Sequence, residues 1–106
     1  MKRTLVLLIA GALSVISAPS VAAGDPVAGK DKAIICAFCH GVDGKQEIPL
    51  WAGGVAKLHG MDEQRLLTEL MDYRYGRRVH PMMQLVILPY SDKDLEDVAA
   101  YYSSLK

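Results

Sequence analysis

Apolar residues recur with helical spacing in three stretches of the chain, and the last stretch is the clearest. Its apolar positions fall every three or four residues, at Leu95, Val98, Ala99, Tyr102 and Leu105. Ser91 precedes them, and Asp94 follows Ser91 at the spacing of a capping box, with Asp in place of the usual Glu. The pattern therefore predicts a C-terminal helix that begins just after Ser91.

Two more helices are predicted upstream, on either side of an irregular segment. Asp25 can cap the first helix, with Pro26 at the first helical position, where its missing N–H costs nothing. The second helix is predicted from Asp62 to Tyr75, ending at Gly76. Its inward-facing residues are expected to be Leu66, Leu67, Leu70, Met71 and Tyr73. The glycine-containing stretch 41–60 reads as irregular, and no convincing strand pattern is present, so the sequence predicts a small all-α domain.

The first residues of the chain have the pattern of a secretory signal peptide. Lys2 and Arg3 precede an apolar run from Leu5 to Ile16, and Val21-Ala22-Ala23 offers a cleavage site of small residues. The apolar run is short for a membrane span, so cleavage is favoured over an uncleaved membrane anchor. We therefore predict a signal peptide at 1–23, one domain at 24–106, and export to the periplasm.

Size and charge exclude several classes of protein. The chain has 106 residues with 12 Lys and Arg against 12 Asp and Glu, and removal of the leader would leave a small acidic excess. Residues 24–106 are too few for a Rossmann or barrel enzyme, and a basic excess for nucleic-acid binding is lacking. A domain of this size has only a marginal core, so we expect a covalent or metal staple.

The two cysteines of the chain can supply such a staple. They occur as Cys36-Ala-Phe-Cys39-His40, the C-x-x-C-H spacing at which a c-type haem is attached. Each thiol can add across a haem vinyl group, and the following His can bind the iron. A redox-active dithiol, a zinc site completed by His59 or His80, and a structural disulfide are the alternatives. The dithiol lacks a thioredoxin-like strand pattern, zinc needs a fourth ligand, and so small a disulfide ring would stabilise little.

A second axial ligand for the iron is expected downstream. Met82 and Met83 follow His80 and Pro81 in a segment predicted to lie between helices, where the backbone can bring one sulfur to the iron. Adjacent side chains point in different directions, so only one of the pair should bind. A thioether donor favours ferrous iron and raises the reduction potential. His59 and His80 are the other candidate donors, and the sole tryptophan is expected to pack in the core.

The order of these motifs resembles that of a bacterial class I cytochrome c. Gly29 lies seven residues before Cys36, and the later segments are CAFCHGVDGK, IPLWAGG, YRYGRR, HPMM and YSDKDLEDVAAYY. The pattern is similar to single domains of dihaem periplasmic cytochromes and to the cytochrome subunit of flavocytochrome c sulfide dehydrogenase. The resemblance covers nearly all of 24–106 and implies three to five helices around one covalent haem c.

The resemblance also implies how the haem would be held. Cys36 and Cys39 would form the thioether bonds, and His40 would be the proximal ligand of the iron. The axial sulfur would come from Met83, with Met82 as the alternative.

Other residues acquire roles through the same resemblance. Pro49 matches a family proline whose carbonyl accepts a hydrogen bond from the proximal His, and Arg78 matches an arginine that can pair with a haem propionate. The first and last helices would cross and bring Gly29 near Tyr101 or Tyr102.

An iron with two axial ligands has no open position, so these features together predict an electron carrier and not an enzyme. The expected partners are periplasmic redox proteins met through a small transient interface, with a flavoprotein subunit as one candidate. The protein would be a free carrier or the haem subunit of a complex such as sulfide dehydrogenase. It would not bind nucleic acid, and it would meet the membrane only through an uncleaved leader. The alternative is an open-site haem enzyme or gas-binding sensor, in which neither Met82 nor Met83 binds iron.

Overall fold

Five α-helices make up the domain in this computed structural model, which describes residues 24–106 together with Thr4 and Gly11. They are α1 (Pro26–Lys32), α2 (Ile34–His40), α3 (Glu63–Arg74), α4 (Pro81–Val86) and α5 (Asp92–Ser104), with a 3-10 turn at Leu50–Ala52. The only β pairing in the described residues joins Ile48 to Val55. The predicted all-α fold is therefore confirmed.

The proposed leader, residues 1–23, lies outside the described residues apart from Thr4 and Gly11. None of the helices found in 24–106 combines the length and the apolarity that a membrane crossing requires.

Side-chain caps fix where three of the helices begin. Asp25 accepts a hydrogen bond from the N–H of Val27 at 2.9 Å, and Asp62 accepts one from the N–H of Arg65 at 2.9 Å. Ser91 forms the predicted reciprocal capping box at the start of α5. Each cap satisfies backbone N–H groups that the first helical turn leaves unpaired. The three helices thus start where the sequence predicts.

The segment that carries Met82 and Met83 is itself helical, where the sequence predicted a connection between helices. His80 caps α4, because its Nδ1 accepts the N–H of Met83 at 3.2 Å. Pro81 occupies the first helical position, which needs no N–H donor. A helix of 6 residues is too short for an apolar period to be recognised, so the pattern could not show it.

Helices α1 and α5 cross with their backbones in contact at Gly29, and we call this contact the α1–α5 crossing. A Cβ atom at Gly29 would lie 1.9 Å from the carbonyl oxygen of Asp97 and 2.9 Å from the Cβ of Tyr101. Only glycine leaves room for so close an approach. The expected contact of Gly29 with Tyr101 is confirmed.

A buried carboxylate joins the two helices at the same place. Asp97 is 2% exposed, and it accepts hydrogen bonds from the N–H of Asp25 at 2.8 Å and from Lys32 at 2.6 Å. Lys93 approaches the other oxygen to 3.0 Å. The Lys32 hydrogen bond above all holds the pKa of Asp97 well below its usual range, so the carboxylate stays charged despite its burial.

The apolar core lies between α3 and α5 and beside the segment that joins α4 to α5. Its buried members are chiefly Leu66, Leu70, Ile87, Tyr90, Leu95, Val98 and Tyr102. Trp51 does not belong to this core, because it lies in the 3-10 turn and is 89% exposed. The expectation that it packs inside is wrong: the turn between two loops holds its indole outside the helical packing.

Candidate haem site

A cavity of about 600 Å³ lies between α2, α3, α4 and the loop that follows α2, with α5 forming part of its wall. Much of the lining is aliphatic, from residues such as Ile35, Leu66, Leu70, Val86, Ile87 and Val98. A cavity of this size matches sites for sizeable organic ligands and far exceeds the voids of a packed core. The described part of the chain therefore encloses a site for a large apolar group.

Helix α2 brings the C-x-x-C-H residues to this cavity. Cys36, Cys39 and His40 all line it, and both cysteines are free thiols. Because they are not joined, the disulfide alternative is not supported. The described residues contain no group of three or more His, Cys, Asp or Glu side chains placed to hold a metal ion.

The ring of His40 is buried and oriented by a backbone carbonyl. Its Nδ1 lies 2.6 Å from the carbonyl oxygen of Ala56, which can only accept a hydrogen bond. Nδ1 therefore carries the proton, and Nε2 keeps the lone pair that can bind a metal. Such a hydrogen bond fixes the ring and increases the basicity of the free nitrogen.

The prediction that Pro49 accepts this hydrogen bond is wrong, although Pro49 does line the cavity. The Pro49 carbonyl instead accepts the N–H groups of Ala52 at 2.9 Å and Gly54 at 3.0 Å. These bonds close the 3-10 turn and occupy the oxygen. Ile48 and Val55 then pair by two backbone hydrogen bonds, which returns the chain toward His40. A pairing of two residues leaves no sequence pattern that could have predicted it.

Both methionine candidates reach the cavity, with different burial. Met83 is half-buried and packs against the core, whereas Met82 is 60% exposed. His80 also lines the cavity, but its Nδ1 is used by the Met83 N–H, so in the neutral ring Nε2 carries the proton. His59 does not line the cavity, and its Nδ1 lies 3.0 Å from the carbonyl of Asp43. The two histidines thus have local hydrogen-bonding roles.

Of the three arginines that follow or end α3, Arg78 alone lines the cavity. Its guanidinium lies 3.2 Å from the carboxylate of Glu69 and sits over the ring of Tyr73, 5.5 Å from the centroid. Arg74 donates to the carbonyl oxygens of Ile87 and Tyr90 and pairs with Asp92, and Arg77 pairs with Asp72. The placement of Arg78 is consistent with its predicted role toward an acidic group in the cavity.

One polar atom in the cavity wall lacks a partner. Tyr102 lines the cavity and is fully buried, yet its hydroxyl has no hydrogen-bond partner. A buried unpaired hydroxyl is unfavourable, which indicates that the site is completed by something the polypeptide does not supply. An aliphatic cavity, two thiols at C-x-x-C-H spacing and a buried imidazole with a free Nε2 fit a covalently attached haem.

Comparison with known proteins supports the same assignment. The family model "Cytochrome c" matches residues 24–106. The chain is 41% identical over 85 residues to cytochrome c4 of Pseudomonas aeruginosa, which covers 80% of this chain and 40% of that protein. It is 33% identical over 106 residues to the thiosulfate dehydrogenase electron acceptor of Thiomonas intermedia, covering 100% of this chain and 45% of that protein.

A solved structure of a related protein also matches. Reduced recombinant cytochrome c4 from Pseudomonas stutzeri aligns with a TM-score of 0.63 and 40% identity, over 79% of this chain and 47% of that one. The chain thus spans less than half the length of each of these relatives. It belongs to the cytochrome c family, has the class I cytochrome fold, and has covalently bound haem c as its cofactor.

Proposed function

We propose that this protein is a periplasmic one-electron carrier whose haem is attached through Cys36 and Cys39 and ligated by His40 and Met83. The observation that carries the proposal is that an imidazole with a free Nε2 and a half-buried thioether line one apolar cavity. When bound, the haem supplies an iron that takes up and releases one electron.

The residues of the chain would set the environment for that electron. The aliphatic lining excludes water, and a water-poor site disfavours the form with the larger net charge. His40 is held by Ala56 at 2.6 Å, so its ring need not reorient when the electron arrives. A fixed ligand and a dry cavity together favour fast exchange with little rearrangement.

Met83 is the better candidate for the axial sulfur. It is half-buried and packs against the core, while Met82 is 60% exposed. The hydrogen bond from the N–H of Met83 to His80 also fixes the backbone at this position. That bond occupies the His80 nitrogen that would compete with sulfur for the metal.

Arg78 would bind an acidic group of the haem. Its side chain lies at the cavity, and its present partner Glu69 also lines the cavity. A propionate could share the guanidinium through a bidentate contact. Pro49 would contribute only to the wall of the cavity.

The partners would be other periplasmic redox proteins, bound briefly. Leu50 and Met82 line the cavity and are 93% and 60% exposed, so part of its rim is apolar and exposed. An exposed apolar rim of this kind suits a small transient interface. A relative named as an electron acceptor of thiosulfate dehydrogenase supports a dehydrogenase of sulfur compounds as the donor. A flavoprotein sulfide dehydrogenase, for which this chain would be the haem subunit, remains a second version of the same function.

The experiment that tests the ligation compares Met83→Ala with its neighbour Met82→Ala in haem-loaded protein. We expect Met83→Ala to lose the weak far-red absorption band of methionine-ligated ferric haem, to lower the reduction potential, and to bind carbon monoxide rapidly when reduced. Met82→Ala should keep the band and resist carbon monoxide. Rapid stoichiometric binding by the unmutated protein would contradict the proposal and favour the open-site enzyme or sensor.

Export is tested by sequencing the N-terminus of the haem-loaded protein from a periplasmic fraction. We expect Gly24 as the first residue, which follows the proposed cleavage site. Recovery in the membrane fraction with residues 1–23 attached would contradict cleavage while leaving the ligation result unchanged.

A further inference from the structure

The connection that follows α4 is bound by a side chain from another helix. Arg74, the last residue of α3, donates through Nη2 to the carbonyl oxygens of Ile87, at 3.5 Å, and Tyr90. Its Nη1 lies 3.5 Å from the carboxylate of Asp92, in the first turn of α5. Its Nε is buried and has no partner in the described part of the chain, so the terminal nitrogens make these contacts. The guanidinium thus joins the end of α3 to the chain between α4 and α5.

The two carbonyls belong to a turn that is fixed by other contacts as well. The N–H of Tyr90 donates to the carbonyl oxygen of Ile87 at 3.0 Å, and both residues are buried. The hydroxyl of Tyr90 donates to the carbonyl oxygen of Lys32, at the end of α1. The turn is therefore attached to both α1 and α3, and Arg74 provides the attachment to α3.

Helix α4 depends on its two ends to stay in place. None of its 6 residues is buried, and a helix of this length is marginal without tertiary contacts. At its start, His80 caps the helix and its ring meets the edge of Tyr73, with centroids 6.1 Å apart. At its end, the N–H of Ile87 donates to the carbonyl oxygen of Met83 at 3.1 Å. The contacts of Arg74 therefore reach Met83 through a single residue.

We propose that Arg74 positions the axial sulfur: by holding the connection after α4, it keeps Met83 at the iron and makes that sulfur difficult to displace. The inference rests on the proposed ligation by Met83. A guanidinium suits this role because its planar fork can bind several oxygens at once, whereas a lysine ammonium is a point charge. Hydrogen bonds from a charged donor are also stronger than neutral ones. Arg74 does not line the cavity, so it acts through Ile87 and is a positioning residue.

The test measures how readily added imidazole displaces the sulfur from ferric haem in Arg74→Met. Imidazole can bind the iron only where the sulfur has left, so its apparent affinity reports on the axial ligand in the folded protein. We expect Arg74→Met to keep its haem and to bind imidazole about tenfold more tightly, as the loss of a charged hydrogen bond would allow. The far-red band should disappear in parallel with binding.

The matched control is Arg77→Met, which removes a guanidinium only three positions away. Arg77 pairs with Asp72 at 2.7 Å and lies over the ring of Tyr75, and neither contact involves the connection after α4. Its imidazole affinity should equal that of the unmutated protein. An unchanged affinity in Arg74→Met, or an equal increase in both variants, would overturn the inference.

A double variant separates positioning of the sulfur from general loosening of the cavity. If Arg74 acts through the sulfur, Arg74→Met/Met83→Ala should bind imidazole as tightly as Met83→Ala alone, because no sulfur is left to hold. A further increase in affinity in the double variant would show that Arg74 acts on the cavity as a whole, and it would overturn the inference.

Arg74→Lys provides a second variant that does not require the loss of the charge. The ammonium can bind fewer of the oxygens that Arg74 reaches, so we expect the imidazole affinity to rise, but less than the removal of all donors would raise it. A lysine variant that loads haem and has the imidazole affinity of the unmutated protein would overturn the role of the fork.

The ligation and the positioning can fail separately. A far-red band that persists in Met83→Ala would refute ligation by Met83 and the inference with it. Loss of the band in Met83→Ala, together with no effect of Arg74→Met on imidazole binding, would refute only the role of Arg74.

Discussion

The α1–α5 crossing and the haem cavity are two regions of the same domain that the polypeptide completes to different degrees. At the crossing, the backbone of Gly29 meets Asp97 with no room for a Cβ, and the buried carboxylate has two lysine partners. At the cavity, about 600 Å³ is lined largely by apolar side chains, and the Tyr102 hydroxyl is unpaired. The first region is finished by the chain itself, whereas the second requires its cofactor.

This difference explains how so small a chain can hold a defined fold. The crossing brings the first and last helices of the domain together, and it requires no cofactor. The cavity takes the place that a larger protein would fill with additional core residues. Each region can therefore be perturbed separately, and the expected losses of stability differ in size and in their dependence on haem.

The largest expected effect is the loss of the haem itself. Without haem the aliphatic walls of the cavity lose the surface against which they would pack, and a domain of this size has little other apolar core to stabilise it. We expect Cys36→Ala/Cys39→Ala to be largely unfolded by far-ultraviolet circular dichroism. Phe38→Ala, at an exposed position between the cysteines, should load and fold. A compact double variant with a cooperative melt would show that the chain completes its own core.

The second largest loss of stability is expected from a change at the α1–α5 crossing, even when haem is bound. In Gly29→Ala the new Cβ would lie 1.9 Å from a backbone oxygen that no side-chain movement can relieve. Overpacking of this kind costs about 1–3 kcal/mol, and a clash with backbone belongs at the upper end. Chemical denaturation of the haem-loaded variant measures this loss of stability, and Lys30→Ala on the exposed side of α1 is the control. Equal midpoints for the two variants would mean that the helices can separate without loss.

The third effect concerns the charge at the crossing and depends on pH. The pKa of Asp97 is held below its ordinary value of 3.8, chiefly by the hydrogen bond from Lys32. A carboxyl whose pKa is lower in the folded protein stabilises the fold at pH values above its unfolded pKa. That stabilisation is lost as the pH falls toward the lower pKa of the folded protein. We expect Asp97→Asn to cost about 2 kcal/mol at pH 7, and the difference from the unmutated protein should shrink below pH 3.8.

Denaturation at several pH values checks the Asp97 prediction. Asp31→Asn, at an exposed position on α1, is the matched control and should follow the unmutated protein at every pH. A difference for Asp97→Asn that does not vary with pH would show that burial, and not charge, governs this contact.

The smallest effect is expected at the start of α5, which serves both regions. Ser91 accepts the N–H of Asp94 at 3.1 Å, and removing such a cap costs about 1 kcal/mol. Ser91→Ala should lower the thermal midpoint slightly without changing the absorption spectrum of the haem. The control, Ser104→Ala at the other end of α5, should lower the thermal midpoint less. A change in the haem absorption spectrum of Ser91→Ala would show that the cap acts on the cavity.

What the sequence predicts well is local in the chain. The starts of α1, α3 and α5 follow from a capping side chain and the residues within a few positions of it. The C-x-x-C-H unit is similarly local, since its chemistry is contained in five consecutive residues. These parts could be predicted because each depends only on residues that are close to one another in the sequence.

The misses all involve contacts between distant residues or very short elements. His40 is oriented by Ala56, 16 positions away, because a loop returns after Pro49 engages its own turn. Helix α4 has 6 residues and an uncommon histidine cap. Tyr102 matches the apolar period of α5, so nothing in the sequence distinguished its unpaired hydroxyl from ordinary core packing.

The exposure of Trp51 has an optical consequence. It is the only tryptophan of the chain and is 89% exposed, beside a residue that lines the haem cavity. An indole already in water emits at nearly the same wavelength in the folded and unfolded protein. Its brightness, however, is quenched by energy transfer to a nearby haem and recovers as the chain expands. The intensity of Trp51 fluorescence, and not its wavelength, should therefore report the distance between this residue and the haem during unfolding.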